Sequence, residues 1–346
     1  MKKNKQMTAT GLLIKKLKVI NFKRMDDLAE LIAKNNNKSK SFIKRDMFFN
    51  FLKYGIGYTD YFKNDFVNLT KEEKKTFITT KNYFNLIGYL NDRRYRIIFS
   101  DKIMFNQMFH KYIKRNFIDI RIVGSEGLAK FMEGKETVFA KAVDDFGGHN
   151  MSKVIVADEK DVQALYNRLY NDEQYLVEDT IIQHPELQRI NPYAVNSFRI
   201  VTLLKDGKVH ILNNALRINV DTAVSIGCSD AFAKLNEDGT QKTPFVDDTS
   251  KIHETHPLTG EDLSNVNIPF VHDAFEMVKE AALVVPKIRY IGWDVAFTND
   301  GPIIVEGNEY PSYGLIQYYM LSENRKKGHL AQIAEILGDE MKQIKL

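Results

Sequence analysis

The sequence predicts an α+β protein in which antiparallel strand pairs alternate with helices, after an N-terminal region that is mostly helical. Two observations support this fold class. In the first 100 residues, apolar side chains recur at helical spacing and aromatic residues are dense. Beyond them, short apolar strands occur in pairs around turn residues, with helical segments between the pairs.

The composition is that of a globular protein with a sizeable core. The 346 residues are 44% hydrophobic and 27% charged, which favours two or three domains. The single cysteine, Cys228, excludes an intrachain disulfide and a cysteine-based zinc site, and it fits a reducing cytoplasm. We interpret Cys228 as a filler residue rather than a nucleophile, because no histidine motif flanks it.

Positive charge is concentrated at the N-terminus. Residues 1–50 carry 13 Lys or Arg against 4 Asp or Glu, a balance of +9, so the rest of a chain of net charge +4 carries −5. This pattern is typical of a solvated helix face, which we favour, or of contact with an anionic partner. No aromatic residues alternate with the lysines of residues 1–18, so no nucleic-acid partner is expected.

The sequence carries no pattern typical of membrane insertion. The apolar run at residues 11–14 is too short for a signal peptide and is followed by lysines. No stretch approaches the roughly 18–20 apolar residues of a membrane span. We therefore expect a soluble, cytoplasmic protein whose membrane contact is at most peripheral, through the basic N-terminal segment.

Residues 1–100 are expected to form a helical domain. Residues 11–34 have apolar positions at helical spacing and predict two helices. Thr70, followed by Lys-Glu-Glu, predicts a capped helix start. Residues 40–66 are dense in phenylalanine and tyrosine, and we expect these rings to lie in the core rather than form a ligand platform.

From residue 101 onwards, strands pair across turn residues. Three hairpins are predicted: residues 137–143 with 151–156, 198–204 with 209–216, and 292–298 with 302–306. Four helices are predicted in the same region: residues 102–116, 158–170, 271–284 and 329–344. Residues 236–269 are polar and rich in turn residues, which is typical of an insertion or mobile loop.

Asp294, Glu306 and Asn308 are candidate metal ligands. The last hairpin brings them close together, and residues two apart on a strand point to the same face. Two carboxylates about 4 Å apart repel by roughly 1 kcal/mol in water and roughly 4 kcal/mol at an effective dielectric of 20, so a compensating cation is expected. Oxygen ligands favour Mg²⁺ or Mn²⁺ over zinc. The alternative is that Glu306 and Asn308 make structural turn contacts.

Lys141 and the following Gly147-Gly148 pair are candidate phosphate ligands. A lysine within an apolar strand is costly unless it meets an anion, and a glycine loop can offer backbone N–H groups to phosphate oxygens. The GxxxxGK[ST] loop is absent, and no GxGxxG follows a strand. A hairpin turn with a lysine reaching solvent explains the pattern equally well.

Three further charged residues lie on or beside apolar strands. Glu178 could accept a hydrogen bond from a nucleotide, although by itself it is an ordinary strand end. Arg199 and Arg217 could clamp a phosphate or oxyanion beside the carboxylates. Buried ion pairs with those same carboxylates are the alternative for both arginines.

The order of these signals resembles the ATP-grasp superfamily, and within it the sugar-transfer-associated family. The resemblance covers about residues 45–330. It is carried in order by Asp101-Lys102, Lys141 with FGGHN, LVEDTI, VNSFRIVTL, GWDVAF and IIVEGNEYP. The aspartate followed by the Glu-x-Asn pattern is its most specific part.

The resemblance implies a role for each matching residue. Lys102 and Lys141 would bind the ATP phosphates, and Gly147 and Gly148 would form a flap over them. The remaining implied roles are adenine or ribose binding by Glu178, Ile181 and Glu186, metal binding by Asp294, Glu306 and Asn308, and stabilisation of the γ-phosphate and tetrahedral intermediate by Arg199 and Arg217.

The resemblance also implies a domain organisation and a reaction. The helical domain of residues 1–100 would precede two α+β subdomains, residues 101–180 and 181–346, that enclose ATP. The reaction would be ADP-forming ligation of a carboxylate to an amine through an acyl phosphate, with saccharide or other small-molecule substrates, in polysaccharide or sugar-conjugate biosynthesis.

One departure and two alternatives accompany this interpretation. After Arg217, the segment RINVDTAVSIGCSDAFAKLNEDG has Asp221 but lacks the Asp-Asn pair and the glycine-rich run common in relatives. That region is expected to face the acceptor. A kinase that phosphorylates a hydroxyl would use the same ATP site, and a non-catalytic module with a decayed nucleotide site is the other alternative.

Overall fold

A computed structural model describes residues 21–144, 150–220 and 230–345. Within these ranges, helices and two antiparallel sheets build the fold, with a mostly helical N-terminal region, and this confirms the predicted α+β class. Gly147, Gly148, Asp221 and Cys228, on which parts of the interpretation above rest, lie outside the described residues. None of the helices in the described ranges has the length and apolarity needed to span a bilayer.

The N-terminal region packs its helices around an aromatic core. The helices are α1 (Phe22–Asn35), α2 (Lys40–Tyr54), α3 (Tyr58–Lys63), α4 (Lys71–Lys74), α5 (Thr80–Leu90) and α6 (Ile97–Ser100). Asn21 and Ser39 cap α1 and α2 by accepting backbone N–H groups. Thr70 forms the predicted capping box, with Glu73 as its partner.

The aromatic residues of this region divide between the core and the surface. Tyr61, Phe62 and Phe66 are buried, but Phe48 and Phe49 are exposed on α2. The expectation that the aromatic side chains of residues 40–66 lie in the core is therefore wrong for α2. Its other face, with Ile43 and Met47, already fills the space against the neighbouring helices.

The four-stranded sheet follows. Its elements are α7 (Lys102–Met108), α8 (His110–Ile113), β1 (Phe117–Asp119), α9 (Ile120–Met132), β2 (Thr137–Lys141), β3 (Met151–Ile155), α10 (Val162–Asn171) and β4 (Leu176–Asp179). The strand order is β1-β4-β2-β3, with every pair antiparallel. The helices predicted at 102–116 and 158–170 differ in detail: Lys114 adopts a left-handed conformation after two short helices, and Asp161 caps α10.

The two faces of this sheet have different roles. Helices α9 and α10 cover the face that carries Val138, Ala140 and Val177, and this side forms a closed apolar core. Lys141 and Glu178 lie on the opposite face, because alternate residues of a strand point in opposite directions.

The remaining strands form a seven-stranded sheet. They are β5 (Ser197–Lys205), β6 (Lys208–Asn219), β7 (Asp230–Ala233), β8 (Phe245–Asp247), β9 (Ile252–His253), β10 (Tyr290–Thr298) and β11 (Gly301–Asn308). Their order is β11-β10-β5-β6-β7-β8-β9, all antiparallel. The last two predicted hairpins are β5–β6 and β10–β11, and each is slightly longer than predicted.

Helices cover both faces of the larger sheet. The helices of this region are α11 (Pro185–Ile190), α12 (Val271–Ala282), α13 (Tyr313–Ile316) and α14 (His329–Leu337). On one face α12 packs against Phe198, Ile200 and Trp293. On the other, α5 and α14 cover Val201, Leu203 and Tyr290, but further along the strands this face carries charged residues. The predicted helix at 329–344 ends at Leu337 and continues as a 3₁₀ helix.

Candidate active site

The hairpin β10–β11 brings the three candidate metal ligands together as its pattern predicts. Asp294 pairs directly with Glu306, and Gly292 pairs with Asn308. The Nδ2 atom of Asn308 lies 3.4 Å from one carboxylate oxygen of Asp294 and 3.4 Å from one of Glu306. Asp294 is buried, whereas Glu306 and Asn308 are partly exposed. The two acids and the amide therefore form one compact set at the sheet edge.

Arg199, on the neighbouring strand β5, is held against Asp294. It pairs with Asp294 across β5 and β10, and its Nε and a terminal nitrogen donate to the two carboxylate oxygens at 2.7 and 2.8 Å. This bidentate pair fixes the plane of the guanidinium. The ion pair that the sequence left as an alternative for Arg199 is thus present, and it orients the arginine beside Glu306.

The surroundings of Glu306 disfavour its ionised form. Burial raises the pKa of its carboxyl, and the charge of Asp294 and a hydrogen bond with it raise the pKa further, against the lowering effect of Arg199 and Lys102. A carboxyl that is buried beside a second carboxylate is harder to ionise, and a bound cation would offset both effects.

The donor set fits a hard divalent cation. Within the described residues, no group of three or more His, Cys, Asp or Glu is placed to hold a metal, so the set is two carboxylates and one amide. Oxygen ligands of this kind suit Mg²⁺ or Mn²⁺. The amide nitrogen of Asn308 faces the carboxylates, so its oxygen would exchange places with the nitrogen on binding a cation.

Two glycines shape the site. A Cβ atom at Gly292 would lie 2.9 Å from a terminal nitrogen of Arg199 and 3.1 Å from Cβ of Pro311, so glycine lets the guanidinium lie across the strand. A Cβ atom at Gly307 would lie 2.8 Å from the Phe105 ring. The glycines of GWDVAF and VEGNE therefore serve close packing on the two sides of the hairpin.

Arg217 continues the line of charged side chains from β11, β10 and β5 onto β6. Arg199 pairs with Ala215 on β6, and Arg217 lies two residues further along, so both arginines are on one face. Arg217 donates to Asp230 from Nε at 2.6 Å. Asp230 was not identified from the sequence, because its partner becomes adjacent only when β6 and β7 pair.

A second charged cluster lies on the four-stranded sheet. Lys141 forms a buried ion pair with Glu178, and Arg115 approaches the same carboxylate, with 3.1 Å between Nε and Oε2. Burial alone would raise the pKa of Glu178, but the charges of Arg115 and Lys141 outweigh it and lower that pKa to about 2. Glu178 is therefore ionised and holds both cations in place.

Arg115 also binds the larger sheet. Its terminal nitrogens donate to the carbonyl oxygens of Ile304 and Val305 on β11, at 2.8 and 3.0 Å. Asn106 on α7 adds a hydrogen bond of 3.3 Å to Glu178. Neither Arg115 nor Asn106 was identified from the sequence, since Arg115 stands in an ordinary basic run and Asn106 in a short helix.

A cavity lies where the two sheets meet. Lys102, Lys141 and Glu178 line it on one side, and Glu306 and Asn308 line it on the other. Phe99 and Phe105 form an apolar wall. Its volume is about 70 Å³, well below the roughly 300–1,000 Å³ of pockets that enclose whole ligands. A nucleotide would therefore require the sheets to separate or lining side chains to withdraw.

Other residues singled out in the sequence lie outside this lining. Arg199 and Arg217 extend from the candidate metal ligands along the sheet face. Ile181 lies two residues after the end of β4. Glu186 is exposed on helix α11, 3.3 Å from Arg189. The structure thus brings Lys102, Lys141, Glu178, Glu306 and Asn308 into one cavity but leaves Glu186 apart from it.

Comparison with protein families gives one match. The model of the family described as sugar-transfer associated ATP-grasp matches residues 128–326. No curated protein matches the chain.

Several solved structures are similar. They include D-alanyl-alanine synthetase A from Vibrio cholerae (13% identity, TM-score 0.41, 71% of this chain and 65% of that one). A second is an L-amino acid ligase from Bacillus licheniformis (12% identity, TM-score 0.40, 70% of this chain and 48% of that one). A third is a carboxyaminoimidazole ribonucleotide synthase from Aspergillus clavatus (11% identity, TM-score 0.39, 61% of this chain and 44% of that one). The chain spans between 44% and 65% of the length of these structures.

Proposed function

Because this chain belongs to the sugar-transfer associated ATP-grasp family, whose model matches more than half of it, we propose that it is an ADP-forming carboxylate–amine ligase. The observation that carries the proposal is the placement of charge. One face of β11, β10, β5 and β6 presents Glu306, Asp294, Arg199 and Arg217 in a row. The row begins beside the cavity that Lys102 and Lys141 line.

The acidic end of the row is proposed as the metal site. Asp294, Glu306 and Asn308 would hold Mg²⁺, or Mn²⁺ in its place. When bound, the ion supplies positive charge that offsets the charge of the phosphate oxygens. Arg199 stays on Asp294 through two hydrogen bonds and keeps that carboxylate oriented.

The basic residues are proposed as the phosphate and oxyanion ligands. Lys102 and Lys141 would bind the phosphates of ATP from the cavity wall. Arg199 and Arg217 would stabilise the γ-phosphate and the charge that develops on the tetrahedral intermediate. Their carboxylate partners, Asp294 and Asp230, fix each guanidinium before the substrate binds.

The nucleoside end of ATP is proposed to lie along the end of β4. Glu178 and the backbone at Ile181 would contact adenine. Glu186, which lies outside the cavity, would contact the ribose after a movement of α11 towards the nucleotide. Gly147 and Gly148 would form the flap. Since Glu178 binds Lys141, it also holds a phosphate ligand in place.

The chemistry of the lining favours a carboxylate acceptor over a hydroxyl. A carboxylate is already anionic at neutral pH and attacks the γ-phosphate without losing a proton, whereas a hydroxyl gains from a nearby base. In the described part of the lining, the ionised Glu178 is already paired with Arg115 and Lys141, and Glu306 is assigned to the metal. An amine would then displace phosphate from the acyl phosphate and leave an amide.

The substrates are proposed to be a saccharide-linked carboxylate and an amine, in polysaccharide or sugar-conjugate biosynthesis in the cytoplasm. The family description supports the sugar part of this proposal. The test is release of ADP and phosphate from ATP in a screen of paired carboxylates and amines. Release that requires both substrates is expected, and AMP with pyrophosphate would contradict the proposal.

Two other outcomes of the screen identify the alternatives. A stable phosphorylated product formed without an amine would identify a kinase. ATP hydrolysis or ligation that is unchanged in Glu306→Gln would place the reaction elsewhere, and the non-catalytic alternative would then describe this site.

A further inference from the structure

The solvent-facing side of helix α2 is apolar. Phe48, Phe49 and Leu52 are 57%, 60% and 54% exposed, and Phe42, about two turns before Phe49, is 38% exposed. Their spacing of one, three and four residues puts Phe48, Phe49 and Leu52 on one surface of the helix. We name Phe42, Phe48, Phe49 and Leu52 the α2 aromatic face.

The α2 aromatic face is not the side by which the helix packs. Ile43, Met47 and Asn50 are buried on the opposite side, against the helical core. A surface helix is normally apolar on one side and polar on the other. A helix that is apolar on both sides has a second apolar environment to meet, because exposed clusters of large apolar residues mark interaction sites.

Positive charge surrounds this face. Helix α2 carries Lys40, Lys44, Arg45 and Lys53 against the single acid Asp46. Arg45 lies on the same side as Phe48 and Phe49, three and four residues away. Asp46 accepts a hydrogen bond from the hydroxyl of Tyr61, on the side that faces α3. Lys40 and Lys44 are paired with Asp26 and Glu30 of α1. Among the described residues, neither Arg45 nor Lys53 forms an ion pair, so two uncompensated positive charges flank the aromatic face.

This charge argues against two occupants from the chain itself. A second copy related by a two-fold axis would place the same surface against itself and bring the Arg45 side chains together. Residues 1–20 contain six lysines and no acid, so they are repelled from a basic face. An anionic lipid surface attracts both the face and residues 1–20.

We propose that the α2 aromatic face is a peripheral membrane-binding surface for anionic phospholipid bilayers. Phe48, Phe49 and Leu52 enter the boundary between headgroups and acyl chains, and Arg45 and Lys53 meet the lipid phosphates. Aromatic rings with flanking cations are the composition of helices that lie in this interface. The basic N-terminal segment adds to the same attraction, and the proposal does not depend on which reaction the enzyme catalyses.

The test is sedimentation of the full-length chain with vesicles of phosphatidylcholine, alone or mixed with phosphatidylglycerol. Binding is expected to the mixed vesicles only and to weaken with salt. Phe48→Ser/Phe49→Ser should lower the partition coefficient about tenfold or more, since two large apolar side chains are lost. Arg45→Glu should lower it about tenfold at low ionic strength.

Matched controls separate this surface from general effects. Ile155→Ser/Leu283→Ser removes two apolar side chains that are 49% and 48% exposed on other parts of the molecule. Lys160→Glu makes the same charge change as Arg45→Glu on an exposed residue before α10. Both controls should bind mixed vesicles like the unmodified chain.

Three results would overturn the proposal. One is the absence of vesicle binding, and another is unchanged binding by Phe48→Ser/Phe49→Ser, which would leave the charge of residues 1–50 as the cause. The third comes from light scattering without lipid. A dimer of the unmodified chain that the same double variant converts to a monomer would assign the face to contact between copies.

Discussion

The guanidinium of Arg115 forms a buried ion pair with the carboxylate of Glu178, with 3.1 Å between Nε and Oε2. The same guanidinium donates to the carbonyl oxygens of Ile304 and Val305 on β11. One side chain therefore joins β4 of the smaller sheet to the edge strand of the larger sheet. Since β11 also carries Glu306 and Asn308, Arg115 positions the two walls of the cavity relative to each other.

Arg115→Met is expected to destabilise the protein strongly. It removes one partner of a buried ion pair and leaves two carbonyl oxygens without their donor, which typically costs about 3–5 kcal/mol. Because Lys141 still compensates Glu178, we expect a loss of about 3 kcal/mol in the free energy of unfolding. Urea denaturation followed by tryptophan fluorescence measures it, since Trp293 is buried on β10.

A surface pair provides the control for Arg115. Arg121 contacts Asp119 at 2.7 Å, but its side chain is exposed, and such pairs contribute at most about 1 kcal/mol. Arg121→Met should therefore change the free energy of unfolding by less than about 1 kcal/mol. Equal losses in the two variants would show that the contacts of Arg115 between the sheets contribute no more to stability than a surface pair does.

Glu306→Gln is expected to abolish most ATP turnover while leaving the fold intact. The substitution keeps the size of the side chain but removes one of the two charges proposed to hold the metal. We expect at least about a 100-fold loss of turnover, as for removal of a group that stabilises developing charge. The activity of the unmodified chain should also depend on added Mg²⁺ or Mn²⁺, and a chelator should abolish it.

Asp300→Asn is the matched control on the same hairpin. Asp300 is exposed in the turn between β10 and β11, away from the metal set. Its substitution makes the same charge change, so turnover and metal dependence should be retained. A similar loss in both variants would point to a general effect of charge rather than to a metal site.

Lys141→Met is expected to weaken ATP binding about tenfold or more. Charge-assisted hydrogen bonds contribute roughly 1.5–3 kcal/mol, and tenfold in affinity corresponds to about 1.4 kcal/mol. Lys153→Met is the comparison, because Lys153 lies on the partner strand β3 and is exposed. Calorimetric titration with a non-hydrolysable ATP analogue measures both, and equal affinities would remove Lys141 from the site.

Local patterns were sufficient to predict much of the fold and the proximity of the candidate metal ligands. The β10–β11 hairpin fixes the register of Asp294 and Glu306 by itself, since its turn is short and its strands are apolar. The β5–β6 hairpin likewise places Arg199 and Arg217 on one face. These residues were predictable because the distances involved are set within one supersecondary unit.

Contacts between distant segments were not predictable in the same way. Arg115 meets Glu178 and β11 only after the two sheets pack, and nothing in its local sequence distinguishes it from Lys111 or Lys114. Phe48 illustrates the opposite problem. The density of aromatic residues around it predicted a core position, but Ile43 and Met47 on the same helix already fill the interior. The division of the chain at residues 100 and 180, and the roles of the site residues, stay predictions.

The last prediction concerns stability against acid and lies away from the cavity. Glu340 accepts hydrogen bonds from Arg289 and forms an ion pair with Lys205, 2.7 Å from its Nζ. These hydrogen bonds lower the pKa of Glu340 to about 2 despite the opposing effect of burial. In the unfolded chain, the pKa of a glutamate is about 4.3.

A folded pKa below the unfolded one stabilises the protein at high pH. The stabilisation is complete above the unfolded value and is lost as the pH falls from about 4.3 towards 2. Glu340→Gln should therefore lower the free energy of unfolding by about 1–2 kcal/mol at pH 7, after allowance for solvent near the pair. The difference from the unmodified chain should shrink as the pH falls towards 2.5. Urea denaturation at several pH values measures it, with Glu133→Gln on an exposed glutamate as the control, and a difference that stays constant with pH would contradict the pairing.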